Sequence, residues 1–169
     1  RPVGLAEEGL YHEGTRYLSR LLLRIAGERA MLLSSGVSHD NSRIVVDLTN
    51  LDMASDGCTI ARGTIHVLRV LTIWDGVLHE RLRFTHYGST AVTLPLAFGF
   101  GADFADIFEV RGTARTRRGA RLPSETRDRT MTMSYRGLDD VVRRTRVRFS
   151  RPPVAFTGSE ARIDLKVEP

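Results

Sequence analysis

Ile65–Phe84 reads IHVLRVLTIWDGVLHERLRF, and its pattern decides the fold. Ile65 to Trp74 is rich in β-branched and apolar residues on both phases of a period-2 repeat, as expected of a central strand covered on both faces. Asp75-Gly76 follows at once, and this pair tolerates the positive φ angles of a two-residue hairpin turn. The returning strand then alternates Leu78, Glu80, Leu82 and Phe84 on one face with His79, Arg81, Arg83 and Thr85 on the other.

The same grammar extends in both directions. Downstream, Gly88-Ser89 turns the chain, and Val92, Leu94, Leu96, Phe98 and Phe100 line one face of a further strand. Pro95 has no amide hydrogen to give, so that strand is expected at a sheet edge or with a bulge. Met131, Met133 and Tyr135 mark another strand, and Gly137–Asp140 a turn. The next strand carries Thr145, Val147 and Phe149 inward with Arg144, Arg146 and Arg148 outward, before Arg151-Pro152-Pro153 stops it. Ile163, Leu165 and Val167 end the series. Upstream, Leu21, Leu23 and Ile25 alternate ahead of a turn at Ala26-Gly27, with Ala30 to Leu33 expected to return. Ile44, Val46 and Leu48 form a third strand, and Asn50 to Gly57 reads as loop. No segment carries a 3.6-residue apolar period over ten positions. Residues 1–8 read as a leader and 9–169 as a single all-β domain, an antiparallel β-sandwich.

Composition narrows the function classes. At 169 residues with 41% hydrophobic and 27% charged content, the chain can bury one core. Cys58 is the only cysteine, which rules out an internal disulfide framework. No apolar run reaches the ~20 residues needed to span a bilayer, and Arg1-Pro2-Val3-Gly4 does not open a signal peptide. The abrupt start at Arg1 and end at Lys166–Pro169 suggest a piece of something longer. A net charge of +5 raises the prospect of nucleic acid, through Arg115 to Arg129 and the Arg143 to Arg151 strand. Yet every one of the 25 basic residues except Lys166 is Arg, and these alternate with apolar residues as on a solvated sheet face. Aromatic residues fall mostly on the opposite phase, so base-stacking platforms are not evident and nucleic acid is not expected as a partner.

Motifs for chemistry are sparse. Histidines 12, 39, 66, 79 and 86 show no paired metal-ligand spacing, so no metal is expected. Ser34, Ser35 and Ser38 lie near His39 and Asp40, but without a nucleophile elbow. No Gly-rich phosphate cradle or dinucleotide fingerprint appears, and no cofactor is expected. The densest functional candidate is Gly101–Gly112, GADFADIFEVRG, which sets Asp103, Asp106, Glu109 and Arg111 among Phe104, Ile107, Phe108 and Val110. Paired acids can form a glycosidase site when they flank a bond. In an extended segment, however, Asp103 and Asp106 would stand ~10 Å apart on opposite faces. Ion pairs pinning a sheet corner are the simpler expectation, because a lone carboxylate among such side chains is costly. No catalytic residue is assigned.

Several segments, in order, resemble one family. Gly9-Leu10-Tyr11-His12-Glu13-Gly14-Thr15-Arg16-Tyr17-Leu18-Ser19 is similar to the opening signature of the N-terminal domain of bacterial glycogen-debranching-enzyme-like proteins of the amylo-α-1,6-glucosidase type. Asp47-Leu48-Thr49-Asn50, Arg62 to Arg69, His79-Glu80-Arg81-Leu82, Ala102 to Gly112, Tyr135-Arg136-Gly137-Leu138-Asp139 and Arg144-Thr145 continue it across residues 9 to 153. One departure is Gly14, where the family carries Asp; the neighbouring Glu13 is the candidate substitute.

The resemblance implies a supersandwich related to galactose mutarotase. It also implies that the catalytic carboxylates belong to a following (α/α)₆ helical domain, with an α-glucan as that enzyme's substrate and the cytoplasm as its location. On this view Asp103, Asp106, Glu109, Arg111 and Arg16 are domain-interface or ion-pair residues. The alternative reading is an autonomous carbohydrate-binding module, with Trp74 and Tyr11 as the candidates for direct carbohydrate contact, and in either case an exposed docking surface would favour self-association.

Overall fold

The computed structural model describes residues 7–55 and 57–169. Residues 1–6 of the expected leader lie outside them. Sixteen strands and one helical turn occur among the described residues. The first eight strands are β1 (Leu10–His12), β2 (Thr15–Leu18), β3 (Arg20–Ile25), β4 (Glu28–Arg29), β5 (Met31–Val37), β6 (Arg43–Thr49), β7 (Met53–Ser55) and β8 (Cys58–Ile60). Three long strands follow, β9 (Ile65–Trp74), β10 (Val77–His86) and β11 (Val92–Gly101), and then the single turn α1 (Ile107–Val110). The last five are β12 (Ala120–Arg127), β13 (Thr130–Arg136), β14 (Val142–Arg148), β15 (Ala155–Thr157) and β16 (Glu160–Val167). All pairings with a defined register are antiparallel, giving the all-β, sandwich-like class expected from the alternation.

Two units divide the chain. One comprises the chain up to Leu22 with Phe98–Ile163, the other Leu23–Ala97 with Asp164–Pro169.

The second unit is built on the hairpin predicted from Asp75-Gly76. β9 and β10 pair without a break from Trp74↔Val77 to Ile65↔His86, and Asp75 (φ 49°) and Gly76 (φ 69°) supply the left-handed turn. The four-stranded order is β10-β9-β6-β5. Its core includes Leu48, Ile65 and Val67, with Val92, Leu94 and Leu96 of β11. β9 is buried or half-buried from Ile65 to Thr72, but not to its end as expected, for Ile73 and Trp74 are exposed, Trp74 by 73%. In this unit β11 lies between β16 and β3, so Pro95 is not on an edge strand. Its carbonyl accepts from the Ala26 amide at 2.8 Å, where β3 has ended and the chain is turning. The missing N–H therefore faces a turn rather than a continuing strand.

Other differences have similarly local causes. The strand returning from Ala26-Gly27 is only Glu28–Arg29, and from Met31 onward the chain pairs with β6 instead. Met53–Ser55 and Cys58–Ile60 make a short hairpin inside the segment expected to be loop.

In the first unit β12-β13-β14 form one sheet, and β1-β2 a hairpin that turns at Glu13 (φ 47°) and Gly14 (φ 71°). β12 was hidden by its polar sequence and by Pro123. It is an edge strand whose register breaks between Leu122 and Glu125, which is where a proline can be accommodated. The core here is aromatic. Phe149 meets Phe98, Phe100 and Phe156 at ring-centre distances of 5.4, 6.4 and 6.0 Å.

One ion pair lies on the core-facing side of the β10-β9-β6-β5 sheet. Arg69 Nε and Glu80 Oε1 are 2.7 Å apart, with side chains only 15% and 18% exposed. They sit diagonally across β9 and β10, Arg69 opposite Leu82 and Glu80 opposite Leu71. Burial pushes the Glu80 carboxyl up, while the Arg69 charge and hydrogen bond oppose it. A pair so placed is tolerated rather than stabilising. Glu80→Ala, which strands the guanidinium, is expected to cost about 3 kcal/mol in chemical denaturation, whereas the double change Arg69→Met/Glu80→Leu should return to within ~1 kcal/mol of the parent or exceed it.

Candidate functional site

Gly101–Gly112 is not a simple corner between strands. β11 ends at Gly101, four residues run without regular structure, and Asp106 then opens the one-turn helix α1. Phe104 takes φ 53°, a left-handed conformation that costs a bulky residue free energy. Its packing offsets that cost. The ring is buried, stacked on Tyr135 at 5.5 Å with planes 8° apart, and meets the edge of Tyr17 at 5.8 Å. Phe108, by contrast, is exposed, so Phe104 is the anchor of the stretch.

Each acid then has a defined task. Asp103 receives a forked ion pair from Arg16 of β2: Nε donates to Oδ1 at 3.1 Å, and Nη2 donates to Oδ2. The Ala105 amide adds a 3.3 Å bond to the same carboxylate. Gly9 makes room for the fork, since a Cβ there would come within 2.6 Å of Arg16 Cδ and 2.5 Å of the Leu18 carbonyl. The backbone is stitched in parallel, with Arg16 N donating to Ala105 O at 2.9 Å and Ile107 N to Gly14 O at 2.8 Å.

Asp106 is the helix N-cap. It accepts from the Phe108 and Glu109 amides at 2.8 and 3.0 Å, and Glu109 Oε2 accepts from the Asp106 amide at 3.0 Å, which completes a capping box. The remaining acidic oxygens are met by the next loop. Arg115 pairs with Asp106 at 2.7 Å and Arg118 with Glu109 at 3.0 Å, while Arg118 also donates to the Asp103 carbonyl at 3.2 Å.

Desolvation would raise the Asp103 carboxyl, but the Arg16 and Ala105 hydrogen bonds with the Arg16 charge outweigh it and hold the group below its ordinary range. Asp106 is held low in the same manner, its desolvation overcome by the Glu109 amide, Arg115 and the Phe108 amide. A glycosidic acid needs the opposite shift, a carboxyl kept protonated near neutrality. Both aspartates are shifted the other way.

Asp103, Asp106, Glu109 and Arg16 are thus brought together, and Arg111 is not. Its side chain is exposed, and its backbone amide closes α1 on Ile107 O at 3.1 Å. Arg115, Arg118 and Tyr135 were missed as partners. The run Arg115-Thr116-Arg117-Arg118 just after three acids was the available signal for the first two. Of the carbohydrate candidates, Tyr11 donates its hydroxyl to the Glu7 carbonyl at 2.6 Å, and Trp74 projects from the tip of the β9-β10 hairpin in the other unit. Ser38 and Asp40 form a local turn in which the Ser38 and Ser42 hydroxyls hold the Asp40 carboxyl down to about 2. His66 and Asp47 make a pair at 2.9 Å. No cluster of three or more metal-binding side chains occurs among the described residues, and no helix there is long and apolar enough to cross a membrane.

Residues 3–169 match the family described as the N-terminal domain of some glycogen debranching enzymes. The chain belongs to that family. No curated protein matches it. In this debranching-enzyme N-terminal domain the departure at Gly14 falls on the left-handed second position of the β1-β2 turn, where glycine is the least strained residue. Glu13 does not take over a carboxylate contact; its side chain is in solvent, with His12 Nε2 4.0 Å away.

The depressed Asp103 carboxyl sets a sign for acid stability. Its stabilisation is complete above the unfolded value of ~3.9 and is lost as pH falls through the lower folded value. Asp103→Asn should lower stability by about 1–3 kcal/mol at pH 7 and flatten its dependence on pH below ~4, read from urea midpoints across pH. Asp106→Ala should cost about 1 kcal/mol through loss of the cap, read the same way.

Proposed function

We propose that this domain is a non-catalytic module of an α-glucan-debranching glycoside hydrolase, of the amylo-α-1,6-glucosidase type. It packs against a helical catalytic domain of the same polypeptide and helps to shape that domain's glucan site. The cytoplasm, where such a reserve polymer would be met, is its proposed location. The observation that carries this reading is the commitment of all three acids of Gly101–Gly112 to arginines or to the α1 cap. That stretch was the strongest candidate for hydrolytic chemistry, and its carboxylates are occupied in holding the chain.

An apolar sheet face adds support for docking. Val37, Ile44 and Leu71 stand opposite one another across β5, β6 and β9, with Ile73 two residues further on, and Val37, Ile44 and Ile73 are all exposed. These three exposed side chains, on the same side of the sheet as Arg69 and Glu80 but beyond its covered part, are what a neighbouring domain would cover. The same row would favour self-association when left bare.

A second function rests on Trp74. Its exposed ring at the hairpin tip could contact glucan directly, as in a carbohydrate-binding module. Tyr87, also exposed, follows the opposite end of β10 and does not extend that surface into a platform.

Two measurements separate these readings. The purified chain should release no glucose from α-1,6- or α-1,4-linked glucans; release that disappears in Asp103→Asn would refute the non-catalytic assignment. Titration with glycogen or maltooligosaccharides should leave Trp74 fluorescence flat, and a saturable change abolished by Trp74→Ala would establish the binding module instead.

A further inference from the structure

The first unit contains a cleft of about 590 Å³ that the ion-paired stretch only borders. Its polar lining consists of Arg20 from β3, Arg121 and Ser124 from β12, Ser134 from β13, and Ser19 and Ser159 from the turns before β3 and β16. No carboxylate is among its lining residues. Of the acids adjacent in sequence to this lining, Asp103 and Glu160 are engaged by Arg16 and Arg162, and Glu125, next to Ser124, is exposed on β12.

The chemistry of that lining selects a ligand. A guanidinium only donates hydrogen bonds, and a serine hydroxyl can donate wherever an acceptor is offered. Arg20 is already positioned, with Nη2 donating to Ser159 Oγ at 2.5 Å and to the Phe100 carbonyl at 3.2 Å. These contacts hold the side chain against the β15-β16 turn and reduce the entropy lost on binding. Arg121 makes no ion pair among the described residues. Two cationic forks and the neighbouring serines, with no acid in the lining, make a site rich in donors and in positive charge; Ser134, opposite Leu122 where Arg121 is opposite Tyr135, borders it through its backbone.

An uncharged glucan is the poorer fit. Sugar rings stack on open aromatic faces, and the aromatic residues here, Phe100 and Phe104, are sealed in the core. A sugar's hydroxyls also need acceptors, and among the side chains of this lining only serine hydroxyls accept, with no carboxylate or side-chain amide beside them. A phosphate group fits better, because it carries about −1.5 to −2 charge at neutral pH and three strong acceptor oxygens. A carboxylate would satisfy fewer of the donors.

We propose that this cleft binds the phosphate group of a small phosphorylated ligand, with Arg20 and Arg121 as the charge partners and the serine hydroxyls completing its coordination. No step of this proposal uses glucan hydrolysis or docking, so it stands or falls independently of the proposed function.

Isothermal titration of the purified protein with glucose 6-phosphate, inorganic phosphate, gluconate, glucose and maltotriose tests it. Glucose 6-phosphate should bind saturably, glucose and maltotriose should not, and gluconate should bind at least tenfold more weakly. Arg121→Gln should weaken phosphate binding roughly tenfold without loss of folding, since the residue is exposed on an edge strand. Arg20→Gln should do likewise, and Arg111→Gln, outside the cleft, should change nothing. Inorganic phosphate binding as tightly as the ester would support the site and assign it to the free anion; tighter ester binding would assign it to a sugar phosphate. Absence of phosphate binding, equal binding of glucose or gluconate, or equal weakening by Arg111→Gln would overturn the proposal.

Discussion

The forked pair between Arg16 and Asp103 is the constraint on which the Gly101–Gly112 region depends. It links two segments 87 residues apart in sequence, where neither side chain has much access to water. Each charge buried alone would be expensive, so the two must stay together once the first unit has formed. The surrounding backbone enforces their meeting. Gly9 leaves space for the arginine stem, and the Arg16 amide is bonded to the Ala105 carbonyl two residues from the partner acid. A planar guanidinium matches a carboxylate at two points, and lysine could not reproduce that geometry.

Beyond Asp103 the chain proceeds by compensations. Phe104 accepts a strained backbone, and Tyr135 and Tyr17 hold its ring in place. Asp106 and Glu109 cap each other's backbone in a helix too short to stand alone, and Arg115 and Arg118 neutralise them from the next loop. The charges of the stretch are thus balanced inside the unit. Membership in the family of debranching-enzyme N-terminal domains is consistent with this structural use of acids.

Much of this architecture was legible in the residues. Alternation exposed β10, β11, β13, β14 and β16, since each buries one face, an apolar run on both phases marked β9, and Asp75-Gly76 located the central hairpin. β12 escaped because an edge strand with Pro123 and mostly exposed polar side chains carries no alternation to detect. β15 and the β7-β8 hairpin are only three residues per strand, too short to establish a period. Pro95 misled for a geometric reason, since its lack of an amide mattered only on the side where β3 had already turned away. In the site, the acids and Arg16 were visible as charges that needed partners. Which cations would answer them was not, because pairing across a loop depends on where the chain returns. The left-handed Phe104 was equally out of reach, being set by tertiary contacts, while the helical turn carries a local signal in the Asp106–Glu109 capping box but is too short to show an apolar period.

A double-mutant cycle on Arg16 and Asp103 tests whether the fork organises this part of the fold. Unfolding free energies would be measured in urea at pH 7 for the parent, Arg16→Met, Asp103→Asn and the pair combined. A coupling of about 1–3 kcal/mol is expected, with each single change destabilising and the double change costing less than the sum. Strictly additive effects would refute that role, because they would mean that the fork is incidental to the fold around it.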